Sequence, residues 1–238
     1  MVDAGQGDEV RISFVQRRIR RSPLLFAAPL VMLLLLLLVL LWESVRANVD
    51  PGSRNDWPWR LQLLDVQVLG SLLAVAGGGV LARAQYARTV RPYLGWRGAW
   101  QAGLLGGDSE AWRVGVMNGG QHIAAIDRMD FMAVIPSGGQ GHTVPGRWVN
   151  QSEVVTALTG AGFVNGVDFR LVSFGRGFPL VGTGSYETVL VGAFSTRFVE
   201  HVQALHVRLR VTDVVGDTHE RIVDCMKGAK PEGGAPDD

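Results

Sequence analysis

The stretch PLLFAAPLVMLLLLLLVLLW, from Pro23 to Trp42, decides how this chain is organised. It is twenty residues long, carries no charge and contains a run of six leucines. An α-helix rises about 1.5 Å per residue, so a segment of this length crosses a hydrocarbon core of roughly 30 Å. We therefore predict a transmembrane helix at residues 23–42.

A buried core helix and a cleaved signal sequence are the alternative interpretations of this stretch. A core helix rarely lacks any polar face, so the signal sequence is the stronger alternative. The tripeptide Val45-Arg46-Ala47 follows the stretch and has small or modest side chains at the positions of a cleavage site. The apolar core of a signal sequence is usually only about 7–15 residues long. The greater length of this apolar run favours a helix that stays in the membrane.

A second apolar stretch predicts another transmembrane helix at residues 61–83. Asp65 and Gln67 lie in its first two turns, near the interface, where a carboxylate costs less than the roughly 3 kcal/mol expected at the bilayer centre. Together the two helices predict a transmembrane hairpin joined by a loop at residues 43–60.

Small residues recur at every fourth position of the second helix: Gly70, Ala74, Gly78 and Ala82. This spacing places them in one stripe along the helix, where another helix can approach closely. The interpretation we favour is packing against the leucine-rich first helix of the same chain. Self-association of several copies through the stripe is the alternative.

The arginines that flank the two helices predict the orientation of the hairpin. Those before the first helix and after the second include Arg17, Arg18, Arg20, Arg21, Arg83, Arg88 and Arg91. In the connecting loop, three arginines are balanced by three carboxylates. Because cytoplasmic flanks carry the excess of basic residues, we expect both termini in the cytoplasm and the loop outside. The bilayer of a plasma or inner membrane is then the first expected partner.

The segments next to the helices are expected to carry little tertiary structure. Residues 1–22 form a cytoplasmic N-terminal segment, in which residues 10–21 have apolar side chains among arginines. This part is either an amphipathic helix on the inner leaflet or only a set of retention charges. Residues 84–110 are expected to be a juxtamembrane linker, since Pro92 and several glycines interrupt any helix.

The charge and cysteine content exclude some classes of function. From residue 84 onward there are 14 basic and 15 acidic residues. A nucleic-acid surface usually has a strong basic excess, so we do not expect a nucleic-acid partner. The single cysteine, Cys225, excludes an intramolecular disulfide and agrees with a reducing compartment.

Residues 111–227 are predicted to fold as a mainly β domain, followed by a disordered tail at residues 228–238. The clearest strand pattern is Leu205–Val211, where apolar residues alternate with a histidine and two arginines, one face in the core and one in water. Asn150 and Glu153 have the spacing of a capping box and predict one short helix from Gln151 to Thr159. Six or seven short strands favour an antiparallel sandwich, with a small β-barrel as the alternative.

Two segments of this domain carry a resemblance to known proteins. They are WRVGVMNGG at Trp112–Gly120 and LHVRLRVTDVVGDT at Leu205–Thr218. Behind a two-helix hairpin, they look like the immunoglobulin-like sandwiches of poorly characterised bacterial two-pass membrane proteins. The resemblance implies an immunoglobulin-like domain at the bacterial inner membrane. Bacterial immune effectors with two membrane helices and a small nucleotide-binding β-barrel share the layout, but no residue motif here matches their ligand pocket.

No catalytic, cofactor-binding or metal-binding residue is expected from the sequence. The five histidines match no zinc spacing, and His206 and His219 are expected on solvated strand faces of the last hairpin. The glycines at 175–177 and 182–184 lack the following helix and lysine of a phosphate-binding loop. Cys225 has no base beside it in the sequence.

The sequence therefore supports two hypotheses of function. The first is a membrane-anchored, non-enzymatic interaction or assembly module, which binds a partner protein or a copy of itself through a sheet edge or the loops at 138–145 and 175–185. The alternative is a ligand-gated membrane effector or sensor that forms oligomers through its transmembrane helices. An enzyme is not expected.

Overall fold

A computed structural model describes residues 15–20, 23–106, 109–135, 147–182 and 188–230. The chain divides into two compact units. One is Arg21–Thr89, and the other combines Met1–Arg20 with Val90–Asp238. The first unit is helical, and the second is built mainly from β-strands.

Two long helices form the first unit, α1 at Pro23–Ala47 and α2 at Val66–Thr89, with a single 3₁₀ turn at Ser53–Asn55 between them. Both are long and apolar enough to cross a membrane. Their ends differ from the predicted 23–42 and 61–83. Helix α1 extends into the predicted loop, where Glu43 and Arg46 pair one turn apart at 2.9 Å. Helix α2 begins later because Asp65 caps it, its carboxylate accepting from the Gln67 amide at 2.8 Å.

The two helices pack through one face of each. On both helices, most of the less exposed positions among those whose burial is described are spaced alternately by four and three residues. They are Pro29, Leu33, Leu36, Leu40 and Glu43 on α1, and Leu69, Leu73, Ala76, Val80, Arg83 and Ala87 on α2. This is the spacing of helices that pack side by side at a shallow angle.

The loop of the hairpin is held to the end of α1. The Trp42 indole donates to the Leu61 carbonyl at 3.1 Å and stacks on Trp59 with ring centroids 5.4 Å apart. The Glu43 carboxylate is buried and accepts from the Leu63 amide at 2.7 Å. Side chains at the end of one helix therefore fix the chain that leads into the other.

Nine strands and two short helices make up the described part of the second unit. The strands are β1 Arg17–Arg20, β2 Leu94–Ala102, β3 Glu110–Asn118, β4 Ala124–Val134, β5 Phe169–Leu171, β6 Pro179–Leu180, β7 Val189–Ser195, β8 Ala204–Thr212 and β9 Thr218–Asp224. The helices are α3 Gln151–Gly160 and α4 Thr196–His201. Asn150 caps α3 by accepting from the Glu153 amide at 2.9 Å, as the capping-box pattern predicted.

The strands form two antiparallel sheets. Sheet A has the order β1-β9-β8-β4-β6, and sheet B has the order β2-β3-β7-β5. The predicted layout of two apolar helices and a mainly β, antiparallel domain is therefore confirmed at this coarse level. The apolar sides of the two sheets share one core, in which the rings of Phe163, Phe169 and Phe194 each pack on Phe198 at 5.0–5.6 Å.

The N-terminal segment contributes a strand, which corrects both sequence interpretations of residues 10–21 for the part that is described. Strand β1 pairs antiparallel with β9, with Arg17 opposite Glu220. Four residues have too few local interactions to indicate a strand from sequence. The partner that satisfies their backbone lies about 200 residues further along the chain.

The predicted linker at residues 84–110 contains strand β2, which is a second correction. Its nine residues pair with β3 in unbroken register, from Leu94 opposite Asn118 to Ala102 opposite Glu110. Gly98 sits where a Cβ atom would collide with the indole of Trp112. The glycines that suggested a flexible linker instead make room for large side chains of the neighbouring strand.

Gln16 joins the two sheets at one edge. Its amide oxygen accepts from the Leu94 amide at 2.8 Å, and its amide nitrogen donates to the Pro92 carbonyl at 2.6 Å. Arg221 of β9 donates to the Leu94 carbonyl at 2.6 Å. The edge of sheet A that carries β1 and β9 is thus tied to the first residue of sheet B.

Asn118 ties the sheets together at the end of β3. Its side-chain oxygen accepts from the amides of Tyr93 at 3.2 Å and Gly120 at 3.0 Å. Its side-chain nitrogen donates to the carbonyls of His122 at 2.7 Å and Leu180 at 3.2 Å. The residue is 3% exposed, and all four hydrogen-bonding positions of its amide are used.

We predict that Asn118→Asp lowers the free energy of unfolding of the β domain by about 3 kcal/mol. In the variant, a carboxylate oxygen replaces the side-chain nitrogen that donates to the carbonyls of His122 and Leu180. Both carbonyl oxygens then lose their donor and face another oxygen. Asn165→Asp at an exposed site is the matched control. Thermal unfolding of the full chain in detergent, followed by near-ultraviolet circular dichroism, checks this. Equal stability of the two variants would contradict it.

Candidate functional site

The small-residue stripe of α2 does not contact α1. Gly70, Ala74, Gly78 and Ala82 are all exposed, and a Cβ atom built at Gly70 or Gly78 meets no atom within 4 Å. A helix turns about 100° per residue, which places the stripe roughly opposite the face that packs on α1. The exposed positions of the stripe therefore do not support the favoured interpretation, that it packs on α1 of the same chain, and the surface that the stripe contacts stays a prediction.

The predicted orienting arginines lie in several elements. Arg17, Arg18 and Arg20 belong to β1, Arg83 and Arg88 to α2, and Arg91 precedes β2, whereas Arg21 lies outside the described residues. Two of them are engaged by carboxylates: Arg17 pairs with Glu220 at 2.7 Å and Arg18 with Asp217 at 3.1 Å. These two arginines therefore pair with carboxylates of sheet A, and the role of the set in orienting the hairpin stays a prediction.

The outer face of sheet A carries two buried carboxylates, each between two arginines. Glu220 accepts from Arg17 at 2.7 Å and from Arg210 at 2.7 Å. Burial raises the pKa of the Glu220 carboxyl, but hydrogen bonds from Arg210 and Arg17 outweigh it and lower the pKa below its usual value. The alternating pattern of β9 alone would predict that Glu220 is exposed to water. In the folded domain, arginines of the neighbouring strands β1 and β8 neutralise its charge.

Asp130 is the second of these carboxylates. It accepts from Arg128 at 2.7 Å and from Arg208 at 2.8 Å, and is 1% exposed. The guanidinium of Arg208 also lies over the ring of Trp148, 4.5 Å from the centroid. The polar face predicted for β8 is therefore an ion-paired layer partly covered by an aromatic ring.

The two histidines of the last hairpin are buried, not solvated as predicted. His219 is 2% exposed and its Nε2 lies 2.9 Å from a carboxylate oxygen of Asp213. His206 is 7% exposed and opposite Asp224 in the register of β8 and β9. Burial lowers the pKa of His206, although Asp224 opposes the shift. His219 lies opposite Val211 and so shares the core-facing side of the sheet, whereas His206 lies opposite Asp224 on the other side. The alternating pattern missed this because it does not show which residue of the neighbouring strand each histidine meets.

The described residues offer few groups for chemistry. They contain no cluster of three or more His, Cys, Asp or Glu that would hold a metal ion. Cys225 is fully buried, and this burial raises the pKa of its thiol. A groove of about 490 Å³ is lined by Leu104, Leu105, Gly106, Asn165, Gly166, Arg170 and Leu171.

Comparisons with protein-family models, curated proteins and solved structures found no match for this chain.

The loops expected to make contacts are described only in part. The loop at 138–145 and residues 183–185 of the second loop lie outside the described residues. In the remainder of that second loop, Phe178 packs on Phe174 with ring centroids 4.3 Å apart, and Arg176 pairs with Asp127 at 2.9 Å. This part is fixed to the domain by local contacts.

One end of the β domain gathers exposed apolar side chains from separate turns. Ala124 pairs with Leu180 and Ala125 with Thr212, and Ile123, Val181 and Val214 lie one or two residues beyond these paired positions, at the same end of sheet A. The three are 51%, 56% and 54% exposed. Tyr93, 62% exposed, lies at the same end, since its carbonyl accepts from the Gly119 amide at 2.7 Å. We call Tyr93, Ile123, Val181 and Val214 the end cluster.

We predict that Glu220→Gln destabilises the β domain by about 2 kcal/mol at pH 7, because two arginines lose their carboxylate partner. The folded-state pKa of Glu220 is lowered, so its contribution is present above the unfolded pKa of about 4.3 and is lost as the pH falls through the folded value. The difference from the native chain should therefore shrink below about pH 4.

Denaturant unfolding of both chains between neutral and acidic pH measures this difference. Glu200→Gln, at an exposed position, is the matched control and should unfold like the native chain at every pH. A difference for Glu220→Gln that stays constant into the acid range would show that the carboxylate charge is not what stabilises this face.

Proposed function

We propose that this protein is a two-pass protein of the plasma or inner membrane that acts as a non-enzymatic assembly module. The hairpin anchors the chain with both termini in the cytoplasm. Copies associate through the small-residue stripe of α2, and the cytoplasmic β domain presents a surface for a partner protein or a second copy. The exposed position of the stripe, opposite the α1 contact, is the observation that carries the proposal.

The side chains on the outside of both helices support insertion into a bilayer. Large apolar residues that are more than half exposed include Val31, Leu34, Leu35, Leu38 and Leu41 on α1, and Val75 and Leu81 on α2. Monomeric soluble proteins rarely expose continuous apolar patches of this kind, whereas hydrocarbon solvates them. Arginines are in excess at the ends of the two helices that lie away from the connecting loop, whereas the loop has a balanced charge, and this supports the orientation with the loop outside.

The strand order supports an immunoglobulin-like fold for the β domain. Immunoglobulin constant domains have one sheet in the order A-B-E-D and a second in the order C-F-G. Sheet B matches the first order if β2, β3, β7 and β5 are A, B, E and D. Strands β4, β8 and β9 of sheet A then match C, F and G. Strands β1 and β6 are additions, and the chain's single cysteine cannot form the disulfide typical of antibody domains.

The edge strand β2 is the surface that best fits a partner protein. It is an outer strand of sheet B, nine residues long, whereas β5 at the other edge has three. Residues Ala99–Ala102 are exposed, and Trp100 packs edge-on against Trp112 at 5.7 Å. Such an edge has backbone groups to which an extended segment of a partner can add.

We predict that Gly78→Leu weakens self-association in vesicles by about tenfold, which corresponds to about 1.4 kcal/mol. A large side chain in the stripe keeps a neighbouring helix from close approach. Gly79→Leu is the matched control, because the same change occurs one residue later, about 100° around the helix. Energy transfer between labelled full-length copies measures the association. Equal association of both variants would exclude the stripe as the interface.

We predict that Asn55→Cys, in the hairpin loop, reacts with a membrane-impermeant maleimide added to intact cells. Val164→Cys, in the β domain, should react only after the membrane is opened. Both positions are exposed, and the native Cys225 is buried, so its thiol gives little background. The reverse pattern, or removal of the protein from membranes by alkaline washing, would refute the proposed topology.

A further inference from the structure

The two chain connections to the helical hairpin leave the β domain at the end that carries the end cluster. Strand β1 runs toward Arg20, which pairs with Thr218 at the start of β9, beside the turn that holds Val214. Strand β2 begins at Leu94, opposite Asn118, next to the turn that holds Ile123. The domain is therefore joined to the hairpin twice, both times at one end.

Both connections are short. From Arg20 to Pro23, the first residue of α1, there are three Cα steps, which span at most about 11 Å. From Thr89, the last residue of α2, to Leu94 there are five steps, at most about 18 Å. The headgroup layer is roughly 6 Å deep on each side of the hydrocarbon. Helices inserted in a bilayer would hold this end of the domain close to its surface.

The residues at this end have the composition of a membrane interface. Tyr93 has an amphipathic ring of the kind enriched at headgroup level, and Ile123, Val181 and Val214 are exposed aliphatic side chains. Arg20 and Arg91 are exposed beside them and make no ion pair with a described residue. Exposed arginines are attracted to the anionic lipids of a cytoplasmic leaflet.

Two carboxylates that the structure describes at this end, Asp213 and Asp217, are engaged within the domain. Asp213 accepts from the amides of Val215 at 3.0 Å and Asp217 at 2.9 Å and contacts His219. Asp217 is buried and pairs with Arg18 at 3.1 Å. Both carboxylates are therefore buried and have partners within the domain, so little of their charge is presented at the surface of this end.

We propose that the end cluster docks on the cytoplasmic surface of the bilayer that holds the hairpin, with the aliphatic side chains at the level of the headgroups and Arg20 and Arg91 on anionic lipid phosphates. This inference rests on the proposed membrane topology and adds a second membrane contact to it. The contact orients the domain, so that the end opposite the cluster and the edge strand β2 extend into the cytoplasm.

Single-cysteine labelling of the full chain tests this contact. Cys225 is buried, so a thiol introduced at the surface is labelled selectively. Ile123→Cys and Val214→Cys place an environment-sensitive fluorophore in the end cluster. Val164→Cys is the matched control, because Val164 is 52% exposed, like Val214, but lies near β5 at the opposite end, about 27 Å away along the sheet.

Each labelled protein is placed in vesicles of phosphatidylethanolamine and phosphatidylglycerol that contain a spin-labelled lipid as quencher. We expect quenching at least several-fold stronger at positions 123 and 214 than at position 164, together with a blue shift of the emission. Vesicles without phosphatidylglycerol should show weaker quenching at the end cluster, because the arginines lose their anionic partners.

The labelling of Asn55→Cys separates the possible failures. If the loop is outside and the end-cluster probes are no more quenched than the control, the docking inference is wrong and the topology stands. If the loop is not outside, the proposed function itself fails. Blue-shifted probes that lipid does not quench, with disulfide crosslinks between copies at position 214, would show that a second copy covers this end and would overturn the inference.

Discussion

The hydrogen bonds of Gln16 are the interaction on which the arrangement of the β domain depends. They connect a residue just before the helical hairpin to Pro92 and Leu94 just after it, 76 and 78 positions further along the chain. Strands β1 and β2 are edge strands of the two separate sheets. The hydrogen bonds of Gln16, together with the one from Arg221 to the Leu94 carbonyl, join these two edges. One amide side chain thus links the segment that leads out of the β domain to the hairpin with the segment that leads back into the domain.

Asn118 also joins the two sheets, at a neighbouring corner, and it does so for the same physical reason as Gln16. A buried amide has two donors and two acceptor positions, so it can satisfy several backbone groups that no strand reaches. Where a turn connects one sheet to the other, its backbone N–H and C=O groups lie outside both strand ladders and lack a partner strand. The cost of burying an amide is offset only if every position is used, as it is at Asn118.

Charge pairing explains why the β domain does not follow a simple division into an apolar and a solvated face. Glu220 and Asp130 are 1% exposed, each held between two arginines from the same or neighbouring strands. A buried carboxylate with such partners keeps its charge, because the guanidinium groups replace the lost water. Ion pairs between polar residues on this face therefore help to hold the strands of the sheet together.

The sequence by itself determined the two apolar helices, the mainly β character of the rest and the capped helix α3, because these depend on local composition, periodicity and spacing. Only the tertiary structure decided that the N-terminal arginines form a strand and that the glycine-rich linker is β2. It also decided which side of α2 faces α1 and brought the end cluster together. These features depend on partners far away in the chain, and a single strand or helix pattern carries no information about which partner it meets.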